Sequence, residues 1–145
     1  MNRRTAIIDA CRKAMAARLK GQETVSDFTK NAQAICKEWQ VSANAIYPDL
    51  RIEDPVSAGL GECFDIFDPV ENCVYELKVS GKNADNEFFK DLIKVYARHA
   101  EDNTVNCFVF ITEEAHGKKY LDKPLPRYAS EKAHNDGISV EIVYL

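Results

Sequence analysis

Apolar residues recur at helical spacing along the first third of the chain. Ile7, Ile8, Cys11, Ala14, Met15 and Leu19 line one side of a helix over residues 3–20, which Gly21 ends. Val25, Phe28, Ala32, Ile35 and Trp39 form one stripe on a second helix, over 24–39. Both stripes point to core packing, with part of the first open to a dimer contact. The period then changes. Pro48 and Pro55 bracket an irregular stretch in which Leu50 and Ile52 suggest a short strand. Glu62–Phe67 and Cys73–Ser80 are strand candidates joined by the turn-forming Asp68-Pro69-Val70-Glu71-Asn72, and together make a hairpin. Asn86 is the expected N-cap of a helix from Glu87 to Ala100, whose apolar side carries Phe88, Phe89, Leu92, Ile93 and Tyr96. Thr104–Thr112 is nearly unbroken in apolar character, the pattern of a strand buried on both faces. A short polar helix over 127–135 follows Pro124 and Pro126, and the alternating Ile138–Leu145 closes the chain as a strand. The order α-α-(β)-β-β-α-β-α-β predicts an α/β fold in a single domain, 1–145. Its sheet should be mixed, with an antiparallel hairpin followed by helix-connected crossovers that favour parallel pairing.

Composition narrows the class. At 145 residues the chain suits one core. No run approaches the ~18 unbroken apolar residues of a membrane span. No apolar core follows the charged N-terminus, so a signal peptide is not expected. The five cysteines, Cys11, Cys36, Cys63, Cys73 and Cys107, are odd in number, lack a CxxC pair and sit among apolar neighbours. They read as free thiols in a reducing, cytoplasmic setting, ahead of a Cys63–Cys73 bridge across the hairpin. With His99, His116 and His134 they do not supply zinc-ligand spacing. The net charge of −4 argues against a non-specific nucleic-acid coat protein. That average conceals an asymmetry. Residues 1–20 carry six basic side chains against Asp9 alone, and residues 49–76 carry eight acids against Arg51 alone. Carboxylates that hold a cation and bases that hold phosphate would account for both signs, as would a solvated basic helix beside an acidic loop.

The hairpin carries the chemistry. Side chains alternate along a strand, so Glu76 and Lys78 point one way and Tyr75, Leu77 and Val79 the other. A four-residue loop, 69–72, sets Phe67 opposite Val74 and Asp65 opposite Glu76. Like charges facing each other destabilise a sheet, and a bound Mg²⁺, a hard cation with oxygen ligands, offsets that repulsion. The Leu77 carbonyl is a further candidate ligand. Lys78 is placed to orient or deprotonate an attacking water, or to stabilise charge on phosphate. A bare Glu-x-Lys triplet arises about once in a few hundred residues by chance, and a surface Glu–Lys pair is its ordinary meaning. The hairpin, the Asp on the matching face and the helix that follows make the pattern more specific.

Asp65, ten residues, then Glu76-Leu77-Lys78 resembles the signature of the PD-(D/E)XK, or restriction-endonuclease-like, nucleases. The similarity extends over roughly residues 24–112 and includes the helix Glu87-Phe88-Phe89-Lys90-Asp91-Leu92-Ile93-Lys94. The resemblance implies an αβββαβ core, with an additional N-terminal helix here. It implies Mg²⁺-dependent hydrolysis of DNA phosphodiesters, with Mn²⁺ able to substitute, in restriction or DNA processing. Asp65 and Glu76 would then be metal ligands, Lys78 the catalytic lysine, and the active species a homodimer, since a duplex has two strands. There are departures. Phe64, not proline, precedes Asp65, and the literal Pro-Asp pair is Pro48-Asp49. Members that take an acid from the first core helix direct attention to Glu38, and to Glu23 just before it. Lys82, Lys90 and Lys94 are the candidate nucleic-acid contacts. Lys90, Lys94 and Arg98 share one polar stripe, and Lys118, Lys119, Lys123 and Arg127 cluster later. The competing expectation is a nuclease-like module that binds nucleic acid or a partner protein without cutting. A cysteine enzyme ranks below both, because no cysteine begins a Cys-x5-Arg phosphate loop.

Overall fold

A computed structural model describes the backbone of residues 1–18 and 25–145, and the side chains of all but 18–30. The expected stop at Gly21, Leu19 and Glu23 lie outside the described residues, as do the side chains of the stripe positions Val25 and Phe28. The chain divides into two compact units, 1–50 and 51–145.

The first unit is a helical hairpin of α1 (Arg3–Arg18) and α2 (Val25–Ile46). Most of the expected stripe positions that are described face inward: Ile7, Cys11, Ala14 and Met15 on α1 and Ile35 and Trp39 on α2 are buried, while Ile8 and Ala32 are half-buried. The Trp39 indole donates to the Ile7 carbonyl at 3.0 Å, which ties the two helices by a bond that a purely apolar side chain could not make. α2 runs seven residues past the expected end at Trp39, because Ala43 continues its buried face. Asn44 then donates to the carbonyls of Tyr47, Pro48 and Leu50, which closes the helix end.

The second unit is a five-stranded mixed sheet in the order β1-β2-β3-β4-β5, with three helices. β1 (Arg51–Pro55), β2 (Cys63–Asp68) and β3 (Cys73–Lys78) are antiparallel neighbours; β4 (Cys107–Thr112) and β5 (Ser139–Tyr144) continue the sheet in parallel. α3 (Ala84–Asp102) crosses from β3 to β4, and α4 (Glu114–Leu121) and α5 (Pro124–Asn135) from β4 to β5. The α/β class and the mixed sheet are as the pattern predicts. The β2–β3 turn holds because Asp68 accepts the Val70 amide at 3.0 Å and Asn72 takes a left-handed φ of 53°, a conformation asparagine tolerates.

Other elements differ from expectation as well, α5 among them, which begins at Pro124 ahead of the expected 127. α3 begins three residues early, after Asn83 in a left-handed conformation, so Asn86 lies in its first turn and is not the cap. α4 was not expected at all, since Glu114-Ala-His-Gly-Lys-Lys has no apolar periodicity.

Phe88, Leu92 and Val95 of α3 pack with Val74, Phe108, Phe110, Leu121, Ala133 and Ile138 in the core that joins the helices to the sheet. Ile66, Tyr75, Val109 and Ile111, on the other sheet face, are buried too. All six residues of β4 are therefore buried, which explains its unbroken apolar run. None of the five cysteines is in a disulfide. Cys73 does not face Cys63; it is the register partner of Cys107 on β4, with the two sulfurs 2.8 Å apart. Among the described residues no helix is long and apolar enough to cross a membrane.

Candidate active site

The register that the turn predicts holds at Phe67–Val74 and extends to Ile66–Tyr75. One step further the two acids take over the ladder. The Asp65 amide donates to Glu76 Oε1 at 3.3 Å, and the Leu77 amide donates to Asp65 Oδ2 at 2.9 Å. Each carboxylate thus binds the main chain of the opposite strand. Strict alternation would set Phe64 and Phe67 on opposite faces, yet both belong to the same core, so β2 deforms around Asp65. On β1, Glu53 is the intervening residue between the pairs Ile52–Ile66 and Asp54–Phe64, and it takes a left-handed φ of 52°. Strained backbone of this kind collects at functional sites.

Glu76 is only 4% exposed, and its main partner is unexpected. The Lys94 ammonium of α3 lies 2.8 Å from Glu76 Oε1 and 3.1 Å from Asp91 Oδ1. Lys94 and Asp91 are themselves 8% and 6% exposed. Lys94 also sits over the Phe64 ring, 5.8 Å from its centre. Four ionisable groups, the buried Glu76, Asp91 and Lys94 and the half-buried Asp65, therefore form one network.

Burial raises the pKa of all three acids. Asp65 is pushed up by desolvation, against the Leu77 amide bond that favours its charged form. Glu76 is held well above the ordinary carboxylate range, by desolvation and then by the charges of Asp65 and Asp91. Asp91 rises to about 6 through desolvation, with Lys94 opposing. Desolvation works against the Lys94 charge, but Glu76 and Asp91 more than offset it, so the ammonium is held above its ordinary value.

Lys78 follows Glu76 by two residues, is half-buried and, among the described residues, has no hydrogen-bond or ion-pair partner. Its register neighbour is Thr112, whose buried hydroxyl also lacks a hydrogen bond. The adjoining ends of β3 and β4 thus carry a half-buried amine and a buried hydroxyl, neither with a hydrogen-bond partner among the described residues, beside the acid network.

The other expected site residues fall apart into groups. Lys82 and Lys90 are exposed, with Lys90 3.9 Å from Glu62. Lys94 does not share their solvent-facing stripe, because its ammonium turns inward to the acids. Arg98 is also withdrawn: it bonds Asp54, the Pro55 and Val56 carbonyls and Asp102, pinning the end of β1 to α3. Of the late basic cluster, Lys118 pairs with Glu114, Lys123 with Asp85 and Arg127 with Asp122. Glu38 belongs to α2 in the first unit, where it lines a groove with Asp9, Lys13 and Ser42.

The donor atoms suit one class of cation. The Asp65 and Glu76 carboxylates and the Leu77 carbonyl are hard oxygen donors, and Mg²⁺ is commonly held by one or two carboxylates and water. Among the described residues no three His, Cys, Asp or Glu side chains converge as a metal-ligand group. Main-chain oxygen and water would therefore have to complete the coordination sphere. No protein-family model matches the chain, and no curated protein or solved structure matches it.

Asp91 was not among the expected site residues, and Lys94, expected at the nucleic acid, is instead bound to the acids. Asp91 and Lys94 stand at i and i+3 on α3, a spacing that joins them on one face. An acid and a base so placed, beside the buried Leu92 and Val95, were the available signal.

Proposed function

We propose that the protein is a divalent-metal-dependent endonuclease that hydrolyses DNA phosphodiesters, built on the αβββαβ core of the restriction-endonuclease-like class. The observation that carries this is the paired grip of Asp65 and Glu76 on each other's strands, with Lys78 unengaged two residues beyond. The antiparallel β1–β2–β3 meander followed by the α3 crossover to a parallel β4 supports it further. In this reading Asp65, Glu76 and the Leu77 carbonyl hold Mg²⁺, or Mn²⁺ in its place. The metal, when bound, polarises a phosphoryl oxygen and lowers the pKa of a coordinated water. Lys78 needs no rearrangement of existing bonds to meet an incoming phosphate or to orient the attacking water. Lys82 and Lys90, both exposed, supply charge for the nucleic-acid backbone. Two copies acting together would serve the two strands of a duplex.

One observation favours a second reading, a nuclease-like module that binds without cutting. Lys94 already neutralises Glu76, as a structural ion pair would. Purified protein and Glu76→Ala, incubated with supercoiled, linear and single-stranded DNA in Mg²⁺, Mn²⁺ and EDTA, separate the two. Metal-dependent cutting by the unmodified chain alone supports the nuclease. DNA binding without cutting in any metal supports the module.

A further inference from the structure

The position of Lys94 has a consequence for metal binding. Its ammonium contacts Glu76 Oε1 at 2.8 Å, on the same carboxylate that the proposed function assigns to the metal. Its second contact, Asp91 Oδ1 at 3.1 Å, lies one helical turn away on its own helix. Two cations a few ångströms apart in a poorly solvated site repel strongly. A divalent ion at Asp65 and Glu76 therefore cannot leave the Lys94 contact undisturbed. The helix offers the ammonium a place to go, since Asp91 remains as a partner when Glu76 is released. Lys94 also lines a shallow groove of about 350 Å³ with Leu60, Glu62, Lys90, Ile93 and Ala97, which gives its side chain open space on the outer side.

We propose that Lys94 is a resident counter-cation of the acid pair, which a divalent metal displaces from Glu76 onto Asp91. This deepens the metal reading given above and rests on it. Lys94 keeps Asp65, Glu76 and Asp91 from repelling one another in the metal-free protein, and it sets the metal affinity by competing for Glu76. Asp91 holds the displaced ammonium.

Two substitutions have opposite expected effects. Lys94→Met removes the competitor and binds Mn²⁺ about ten-fold tighter or more. Asp91→Asn removes the alternative partner, leaves the ammonium to Glu76, and weakens Mn²⁺ binding. A merely structural Lys94–Asp91 pair would weaken binding in both, because either change would loosen the site.

The experiment is a calorimetric titration of Mn²⁺ into the unmodified chain and both variants, with thermal unfolding to establish that each is folded. Tighter binding by Lys94→Met together with weaker binding by Asp91→Asn supports the proposal. Equal or weaker binding by a folded Lys94→Met overturns it and leaves the metal site standing. No binding by any of the three chains overturns the metal reading, and this proposal with it. If Lys94→Met does not fold, the nitrogen-15 resonance of the Lys94 ammonium in the unmodified chain decides, assigned by its loss in Lys94→Arg. Saturation with Mg²⁺ must shift that resonance or broaden it. A resonance unchanged in Mg²⁺ that is shown to bind overturns the proposal.

Discussion

Asp65 and Glu76 complete each other's strands: the Glu76 carboxylate accepts the Asp65 amide, and the Asp65 carboxylate accepts the Leu77 amide. The acids thereby do the work of two ladder bonds at the point where β2 and β3 part. Shape and charge at these positions can be separated. Asp65→Asn keeps an oxygen for the Leu77 amide and should cost under about 1 kcal/mol. Asp65→Ala leaves that amide without its partner and should cost about 1–3 kcal/mol. Urea unfolding of the two variants measures the difference. Both lose the negative charge, so both should lose metal-dependent cleavage.

Lys78 is the reverse case. Among the described residues it has no hydrogen-bond or ion-pair partner to lose, so Lys78→Met should change stability by no more than ~0.5 kcal/mol. The same substitution should abolish cleavage while leaving Mn²⁺ binding in place. A large loss of stability would make Lys78 a structural residue. Thermal unfolding and a cleavage assay on one preparation check both.

The raised carboxylates fix the direction of the pH dependence. Asp91 has a folded-state pKa of about 6 against an ordinary 3.8, so the folded protein binds this proton more tightly than the unfolded chain. The associated stability is fully present below about pH 4 and is lost as the pH rises through about 6. Asp65 and Glu76 are shifted in the same direction. Metal-free protein should therefore gain stability as the pH falls from about 7 to about 5, on the order of 1 kcal/mol from Asp91 alone. Asp91→Asn should flatten part of that gain. Thermal melts in EDTA across this range report it, and a melting temperature that falls steadily on acidification would contradict the network.

Gly81 secures the loop that follows Lys78. A Cβ at this position would lie 2.3 Å from the Gly117 amide nitrogen and 2.9 Å from the His116 carbonyl carbon, both backbone atoms that cannot turn aside. The Gly81 amide also donates to Glu113 at 3.1 Å. Gly81→Ala should destabilise by about 1–3 kcal/mol and reduce cleavage by displacing the end of β3. Guanidinium unfolding alongside the cleavage assay tests the coupling.

Much of this arrangement is visible in the residues alone, because it depends on local rules. Asp68-Pro69-Val70-Glu71-Asn72 specifies the turn, the turn specifies Phe67 opposite Val74, and that register carries Asp65 to Glu76. The nearly continuous apolar run from Val105 to Ile111, interrupted only at Asn106, likewise identifies a central strand. Lys94 was not legible in the same way. Its spacing from Lys90 and Arg98 matches a solvated stripe, and only the placement of α3 across β3 turns it toward Glu76. The deformation of β2 was hidden for a related reason. Period-two alternation describes a regular strand, whereas Asp65 is held by a side-chain bond to the Leu77 amide that the pattern does not encode. α4 was missed because its helix is short and polar, with Gly117 in its middle making a close approach to Thr112 and Tyr144.

The most direct test of the central claim is the rate of supercoiled DNA cleavage by the unmodified chain and by Glu76→Gln, side by side in Mg²⁺ and in EDTA. Glu76→Gln retains an oxygen for the Asp65 amide and removes the charge that a cation needs. The account predicts nicking or linearisation by the unmodified chain in Mg²⁺, none in EDTA, and none by Glu76→Gln in either. Equal rates for the two chains, or cleavage that persists in EDTA, would contradict it.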